Sequence, residues 1–351
     1  MNADVNVDVT TDRFGAPGAT RQAVEHVAPG TCKPATCNLP HVAASLLVVV
    51  TAVLLAFGAL VTTYEAAMAV PDWPGTFGHN MLLFPLAEWL HGPWDLFLEH
   101  GHRLLGALVG LLTLMVAGLV WWRGGPPAVG ALAIAAVLLV IMQGALGGAR
   151  VLLDDKTVAK VHACTGPLFF AVAVSLAVLT RAGGRSSAST PRAGWTAAAL
   201  VVAIYMQLVA GAQLRHVDPS MPPDSFRGLV ALHVGGAVVV LVLAFASAAH
   251  ATTWRSWPVA ILVAACMQWL LGLGTWIVSW GLPTGLIPEA WQPDVALRAR
   301  GGWTAAIVTG HVLLGMLMLG LSVAAAIRAG ALDHVASLGH RGDVRRWRRF
   351  A

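Results

Sequence analysis

Charge is scarce in this chain. Of its 351 residues 22 are Lys or Arg and 17 are Asp or Glu, while 57% are hydrophobic. That is too little charge to cover a soluble surface of this size. Eight segments are nearly free of charge, and each is long enough to cross a hydrocarbon core of about 30 Å. Strict alternation of apolar and polar residues is also missing. The run 42–61 is apolar on every face, which excludes spanning strands and a transmembrane barrel. Cysteine is rare: Cys32 and Cys37 lie near the start, Cys164 and Cys266 inside apolar segments, so no disulfide framework is implied. The first 40 residues contain neither an apolar signal core nor an Arg-rich amphipathic pattern.

What is present is an all-α polytopic membrane protein. The spans are expected near 42–66, 100–122, 127–149, 159–181, 194–214, 228–250, 257–281 and 303–327. An even count puts both termini on one side. That side carries 14 of the 22 basic residues and 6 of the 17 acidic ones, so the positive-inside rule assigns both termini to the cytoplasm. The net charge of +5 is thereby explained by topology and calls for no nucleic-acid partner. Residues 1–40 are expected to be a disordered cytoplasmic tail. Residues 331–351, with Arg345, Arg346, Arg348 and Arg349, form a basic cytoplasmic tail placed against anionic lipid. Trp73, Trp89, Trp94, Trp121, Trp122 and Trp195 fall at segment ends, where an indole keeps its ring in the interface and its N–H wet.

A repeat organises the spans. Met-Gln followed by Gly four residues later occurs at Met142-Gln143 with Gly147, Met206-Gln207 with Gly211, and Met267-Gln268 with Gly272. Glycine lets helices approach closely and glutamine can bond across the contact, so these read first as packing devices. Their recurrence divides the chain into an N-terminal four-helix half, 41–185, and a C-terminal four-helix half, 192–330.

Four of the 13 histidines share a depth. His102, His162, His233 and His311 each lie at the outward end of an even-numbered span, two in each half. An ionisable ring inside a membrane helix marks function by default, and four in register point to metal or cofactor ligation. Zinc would call for ligands converging on one point. Two pairs suit haem, with imidazole as axial ligand on each face of a porphyrin in an apolar slot. Arg103, Arg150, Arg215 and Arg227 stand at the level where propionates would emerge, and guanidinium binds carboxylate well. The halves differ at one telling position. Glu99 lies three residues before His102 and shares its helix face, whereas Val230 occupies that place before His233. His100 is turned to the opposite side of the helix. Glu99 is either a catalytic acid or base beside one haem or a charge favourable at a helix N-terminus.

These residues resemble the haem A synthases of bacteria and their mitochondrial cytochrome oxidase assembly counterparts. The resemblance covers roughly 41–330. It rests on Glu99-x-x-His102-Arg103, on His162, His233 and His311, on Gly58-Ala59-Leu60-Val61-Thr62, and on the loop Pro71-Asp72-Trp73-Pro74. It implies eight transmembrane helices in two pseudo-symmetric four-helix bundles in a bacterial cytoplasmic membrane. It also implies oxidation of the C8 methyl of haem O to a formyl group, giving haem A for terminal oxidases. By the same resemblance His102 and His162 flank substrate haem O, His233 and His311 ligate a resident haem b, and Glu99 is catalytic. Haem O synthase and an external electron acceptor are implied partners, and a homo-oligomer is left open. Many bacterial relatives carry a cysteine pair around the Pro-Asp-Trp-Pro loop. Val70 and Thr76 stand there instead, so no redox role for such a pair is expected. Two rival classes use similar residues: a di-haem b-type electron-transfer protein, and a haem carrier or transporter.

Overall fold

The computed structural model describes residues 38–124, 126–181, 190–218, 220–250, 256–281 and 301–330. The expected tails, apart from residues 38–40, and most of the 182–192 connection lie outside the described residues, and with them Cys32, Cys37 and the C-terminal arginines. Within those limits the chain forms α1 (Leu39–Thr63), α2 (Leu86–His91), α3 (Trp94–Arg123), α4 (Pro127–Leu153), α5 (Lys156–Thr180), α6 (Pro191–Arg215), α7 (Pro223–His250), α8 (Ser256–Trp280) and α9 (Gly302–Arg328). All but the short α2 are long and apolar enough to cross a membrane. The chain is a multi-pass helical membrane protein. Among the described residues the sole strand-like pairing is an isolated bridge between Thr76 and His79.

Local chemistry sets the helix ends. Asn38 caps α1 by accepting from the His41 amide, with Pro40 beside it in the first turn. Asp155 caps α5 through the Val158 N–H, and Thr190 caps α6 through the Ala193 N–H ahead of Pro191. Gly124 ends α3 in the left-handed region, at φ 64°. The α4–α5 connection is only Asp154 and Asp155, which forces these two helices to run antiparallel side by side. The α1–α3 connection is far longer, residues 64–93, and carries α2 and a single 3-10 turn at Met81–Leu83.

Helix α1 packs on α3, α3 on α4, α4 on α5 and α5 back on α1. Likewise α6 packs on α7, α7 on α8, α8 on α9 and α9 back on α6. Buried Leu47, Val109, Ala133, Phe169 and Leu176 fill the middle of the first group. Leu200, Ile204, Val240, Ala244, Ile261 and Leu319 do so in the second. Helix α5 also meets α6 and α9, and α1 meets α9. Close approach there depends on Gly320, where a Cβ would come within 2.8 Å of the Phe170 ring. The outer faces keep Leu111, Leu138, Val202, Val242, Phe245 and Leu270 more than half exposed, as lipid contact requires.

Candidate functional site

The four histidines come together in pairs. The rings of His102 (α3) and His162 (α5) have centroids 6.5 Å apart, and those of His233 (α7) and His311 (α9) lie 6.3 Å apart. Every ring rests on a glycine of a neighbouring helix: Gly58 of α1 under His102, Gly147 of α4 under His162, Gly211 of α6 under His233, Gly272 of α8 under His311. A Cβ at these positions would stand 2.9, 3.4, 3.1 and 3.1 Å from the respective Cε1 atoms. In all four seats Cε1 and then Nδ1 are the ring atoms nearest the glycine, leaving Nε2 as the nitrogen further from the supporting helix. None of the four Nδ1 atoms has a hydrogen bond of ordinary length and angle, and each instead faces the backbone carbonyl four residues before its glycine seat, that of Leu54, Gln143, Gln207 and Gln268 respectively. Such a set, repeated at one depth, calls for a functional account.

The Met-Gln repeat therefore does more than pack helices. Its glycines are three of the four seats. Its glutamines brace the helices that carry the rings: Gln207 donates to the His233 carbonyl, Gln268 to the His311 carbonyl at 2.8 Å, and Gln143 to the Thr165 hydroxyl one turn beyond His162. In α1 the place four residues before Gly58 is taken by Leu54, so His102 has no such brace.

These pairs fit haem. Two imidazoles bound to opposite faces of one metal ion, each nitrogen about 2.0 Å from it, have ring centres roughly 6 Å apart. Both pairs have that spacing. Among the described residues no group of three or more His, Cys, Asp or Glu side chains converges as a metal site would need.

Glu99 is buried and both its oxygens are engaged. Oε1 pairs with the Arg103 guanidinium at 2.9 Å, and Oε2 accepts from the Val70 N–H at 2.9 Å. Arg103 in turn donates to the carbonyls of Val70, Asp72 and Gly75 at 2.7, 2.7 and 2.9 Å. The 64–80 loop is thus drawn down onto the N-terminal end of α3. Asp72 closes it from within by accepting from the Phe77 and Gly78 amides. Burial pushes the Asp72 carboxyl upward, but those two amides, helped by Arg103, outweigh it and hold its pKa below the usual range. Trp73 lies flat on Gly148 of α4, where no larger residue fits, since a Cβ would overlap the indole.

His100 was legible only as a residue facing away from His102. It is 2% exposed, bonds Thr76 Oγ1 through Nδ1 at 3.1 Å, and is flanked by Phe84 and Trp89. It is a second fastening of the same loop. A buried histidine three residues before Arg103, opposite a threonine in the loop, gave no periodic signal that could have disclosed this.

The four arginines have separate fates. Arg103 is committed to the loop. Arg227 is exposed and, among the described residues, pairs with Asp224 at 3.3 Å. Arg150 reaches the Ala67 carbonyl at 3.3 Å. Arg215 crosses to α1, donating to the Ala59 carbonyl and Thr63 Oγ1, both at 2.6 Å, while its Nη1 is buried and unpartnered. Thr63 also contacts Thr309 of α9 at 3.1 Å, two residues from His311. His216, the C-cap of α6, is held down to about 4 by burial and by Arg215, Lys160 and Arg150 around it.

Residues 41–230, more than half of the chain, match the family of cytochrome oxidase assembly proteins. The chain belongs to that family, which includes the haem A synthases. Similar relatives are the haem A synthases of Alkalihalophilus pseudofirmus, 27% identical over 181 residues, and Shouchella clausii, 30% identical over 182. These matches take in 50% and 48% of this chain and 59% and 56% of the relatives. The haem A synthase of Halalkalibacterium halodurans is 28% identical over 183 residues, 58% of its length. The chain thus spans under two thirds of the relatives it matches. The family match contains Glu99, Arg103, His102, His162 and the whole α1–α3 connection, and it ends before His233 and His311.

Proposed function

We propose that the protein is a haem A synthase that oxidises the C8 methyl of haem O to a formyl group. The observation that carries this is the pairing of four glycine-seated histidines with ring centres 6.5 and 6.3 Å apart, with Glu99 as the buried carboxylate on the His102 helix and, among the described residues, no buried carboxylate in the other half. Two successive hydroxylations each remove a pair of electrons and a pair of protons and add an oxygen from water. The resulting gem-diol loses water to give the aldehyde. His102 and His162 would hold the substrate by its iron, and His233 and His311 would hold haem b. When bound, haem b supplies one-electron redox chemistry between the substrate site and an external acceptor.

The chain's own residues orient and exclude. Glu99, on the His102 face of α3, fixes the loop through Val70 and Arg103 and places a carboxylate where a proton leaving the substrate, or the attacking water, is received at Oε1 or Oε2. Trp73 and the strapped loop keep bulk water from the pair. Arg150, whose contact with the loop is one long bond to the Ala67 carbonyl, and Arg215, whose Nη1 is unpartnered, are the residues to meet propionates. The two four-helix halves, 41–185 and 192–330, are read as pseudo-symmetric bundles, and both termini as cytoplasmic in a bacterial inner membrane. Reporter fusions at Gly184 and the C-terminus should then report cytoplasm, and one at Gly75 the outside.

The near-equal spacing of the two pairs also favours a second reading, a di-haem electron-transfer protein. Co-expression with a haem O synthase, followed by extraction and mass analysis of the haems, separates them. Haem A in the extract supports the synthase; haem B alone supports electron transfer.

A further inference from the structure

The gap between α3 and α4, on the lipid side, differs from its counterpart between α7 and α8. Inward from His102, α3 continues through Gly106 and Gly110, where a Cβ would meet nothing within 4 Å. These two glycines, with Leu114, Val140, Ile141 and Leu82 from the outer loop, line an apolar groove of ≈ 400 Å³. It begins one helical turn from His102. Gly144 of α4, one turn outward from Val140, is also open. At the matching offsets in the other half Ala237 and Leu241 follow His233, and Trp269 follows Gln268 where Gly144 follows Gln143. Trp269 Nε1 donates to the Ala237 carbonyl at 3.3 Å, and Leu241 packs against the core. The indole thus spans the very gap that glycine leaves open beside the first pair.

We infer that the α3–α4 groove receives the isoprenoid side chain of the substrate haem, and that Trp269 closes the corresponding gap to keep such a chain out of the second site. This rests on reading the His102–His162 pair as the haem O site. Haem O and haem b differ in one substituent, a long hydroxyethylfarnesyl chain against a vinyl group, so two sites on one scaffold must be told apart by that chain. Lipid is as apolar as the groove and gives little hydrophobic preference. Discrimination is therefore steric: glycine leaves room along the porphyrin edge, and Leu or Trp fills it.

Full-length protein in lipid nanodiscs, its second site loaded, is titrated at the first site with haem O and separately with haem B, followed by absorbance. Gly144→Trp should weaken haem O binding about tenfold or more, the effect of overpacking, and leave haem B binding there within about twofold. Gly110→Leu should repeat the result from the other wall. An unchanged low-spin spectrum of the second site reports that each variant is folded. Trp269→Gly should let haem O be extracted from the second site, and its continued exclusion counts against the role given to Trp269. Equal loss of both haems in the two glycine variants, or undiminished haem O binding in both, overturns the groove assignment. Failure of the unsubstituted protein to bind either haem at His102–His162 is a different result: it sinks the reading of that pair, and the groove with it.

Discussion

The two histidine pairs share spacing, glycine seats and depth, but their surroundings are unlike. Over the first pair a loop is fastened by Glu99, His100 and Arg103, and beside it glycines leave a groove. At the second pair Val230 replaces the carboxylate, and Trp269 and Leu241 occupy the groove positions. What is held in common is the paired-imidazole geometry. What differs is the carboxylate and the room beside the rings, so under the proposed function the comparison separates the parts that would bind a tetrapyrrole from those that would act on one.

The comparison breaks most readily at the ligands. His233→Met or His311→Met should remove or shift the signal of a tightly held low-spin b haem, since a thioether ligates less firmly and raises the potential. The same change at His102 or His162 should spare that signal and stop conversion of haem O. Equal losses from all four variants in absorbance and potentiometric titration would make the pairs equivalent and refute the division of roles.

Glu99→Gln comes next. Turnover per bound haem should fall about 10²-fold or more from loss of a general base. Stripping the charge opposite buried Arg103 should also loosen the loop, as breaking a buried pair costs about 3–5 kcal/mol. Protease cleavage within 64–80 reads the second effect independently of the first. Val230→Glu should confer no second oxidising site. Full turnover in Glu99→Gln would leave only the fastening role.

Smaller effects are expected at the seats. Gly58→Ala and Gly211→Ala each push a methyl to 2.9 or 3.1 Å from an imidazole carbon, an overpacking of about 1–3 kcal/mol. Each should weaken haem retention at its own pair alone, measured by haem content after dilution.

The mildest test uses pH. His216 is neutral in the folded protein down to about 4, against an unfolded value near 6.5. Its contribution to stability is complete above about 6.5 and is lost as pH falls through that window, because the unfolded chain takes up the proton first. Thermal melts between pH 7 and 4 should show a decline, and His216→Gln should remove the part of it that His216 contributes.

Most of the fold could be read from the chain. Helix ends lie within a few residues of the expected spans at α4, α8 and α9, because a long charge-free run has one solution in hydrocarbon. At α3 the expected span started late, at 100, because Asp95 and Glu99 put charge into the first turns of a helix that in fact begins at Trp94. The four histidines were legible from shared depth. The seats were half legible: the Met-Gln-Gly repeat stood out, yet which glycine lies under which ring is a matter of neighbouring helices. The fastening of the loop was not legible at all. Arg103 binds backbone carbonyls about 30 positions away, and every residue type presents the same carbonyl.

Arg215 also orders events during synthesis. Its acceptors, the Ala59 carbonyl and the Thr63 hydroxyl, leave the ribosome 156 and 152 residues before it. Until α6 has been made the end of α1 lacks this guanidinium, and its contact with α9 through Thr63 and Thr309 waits longer still.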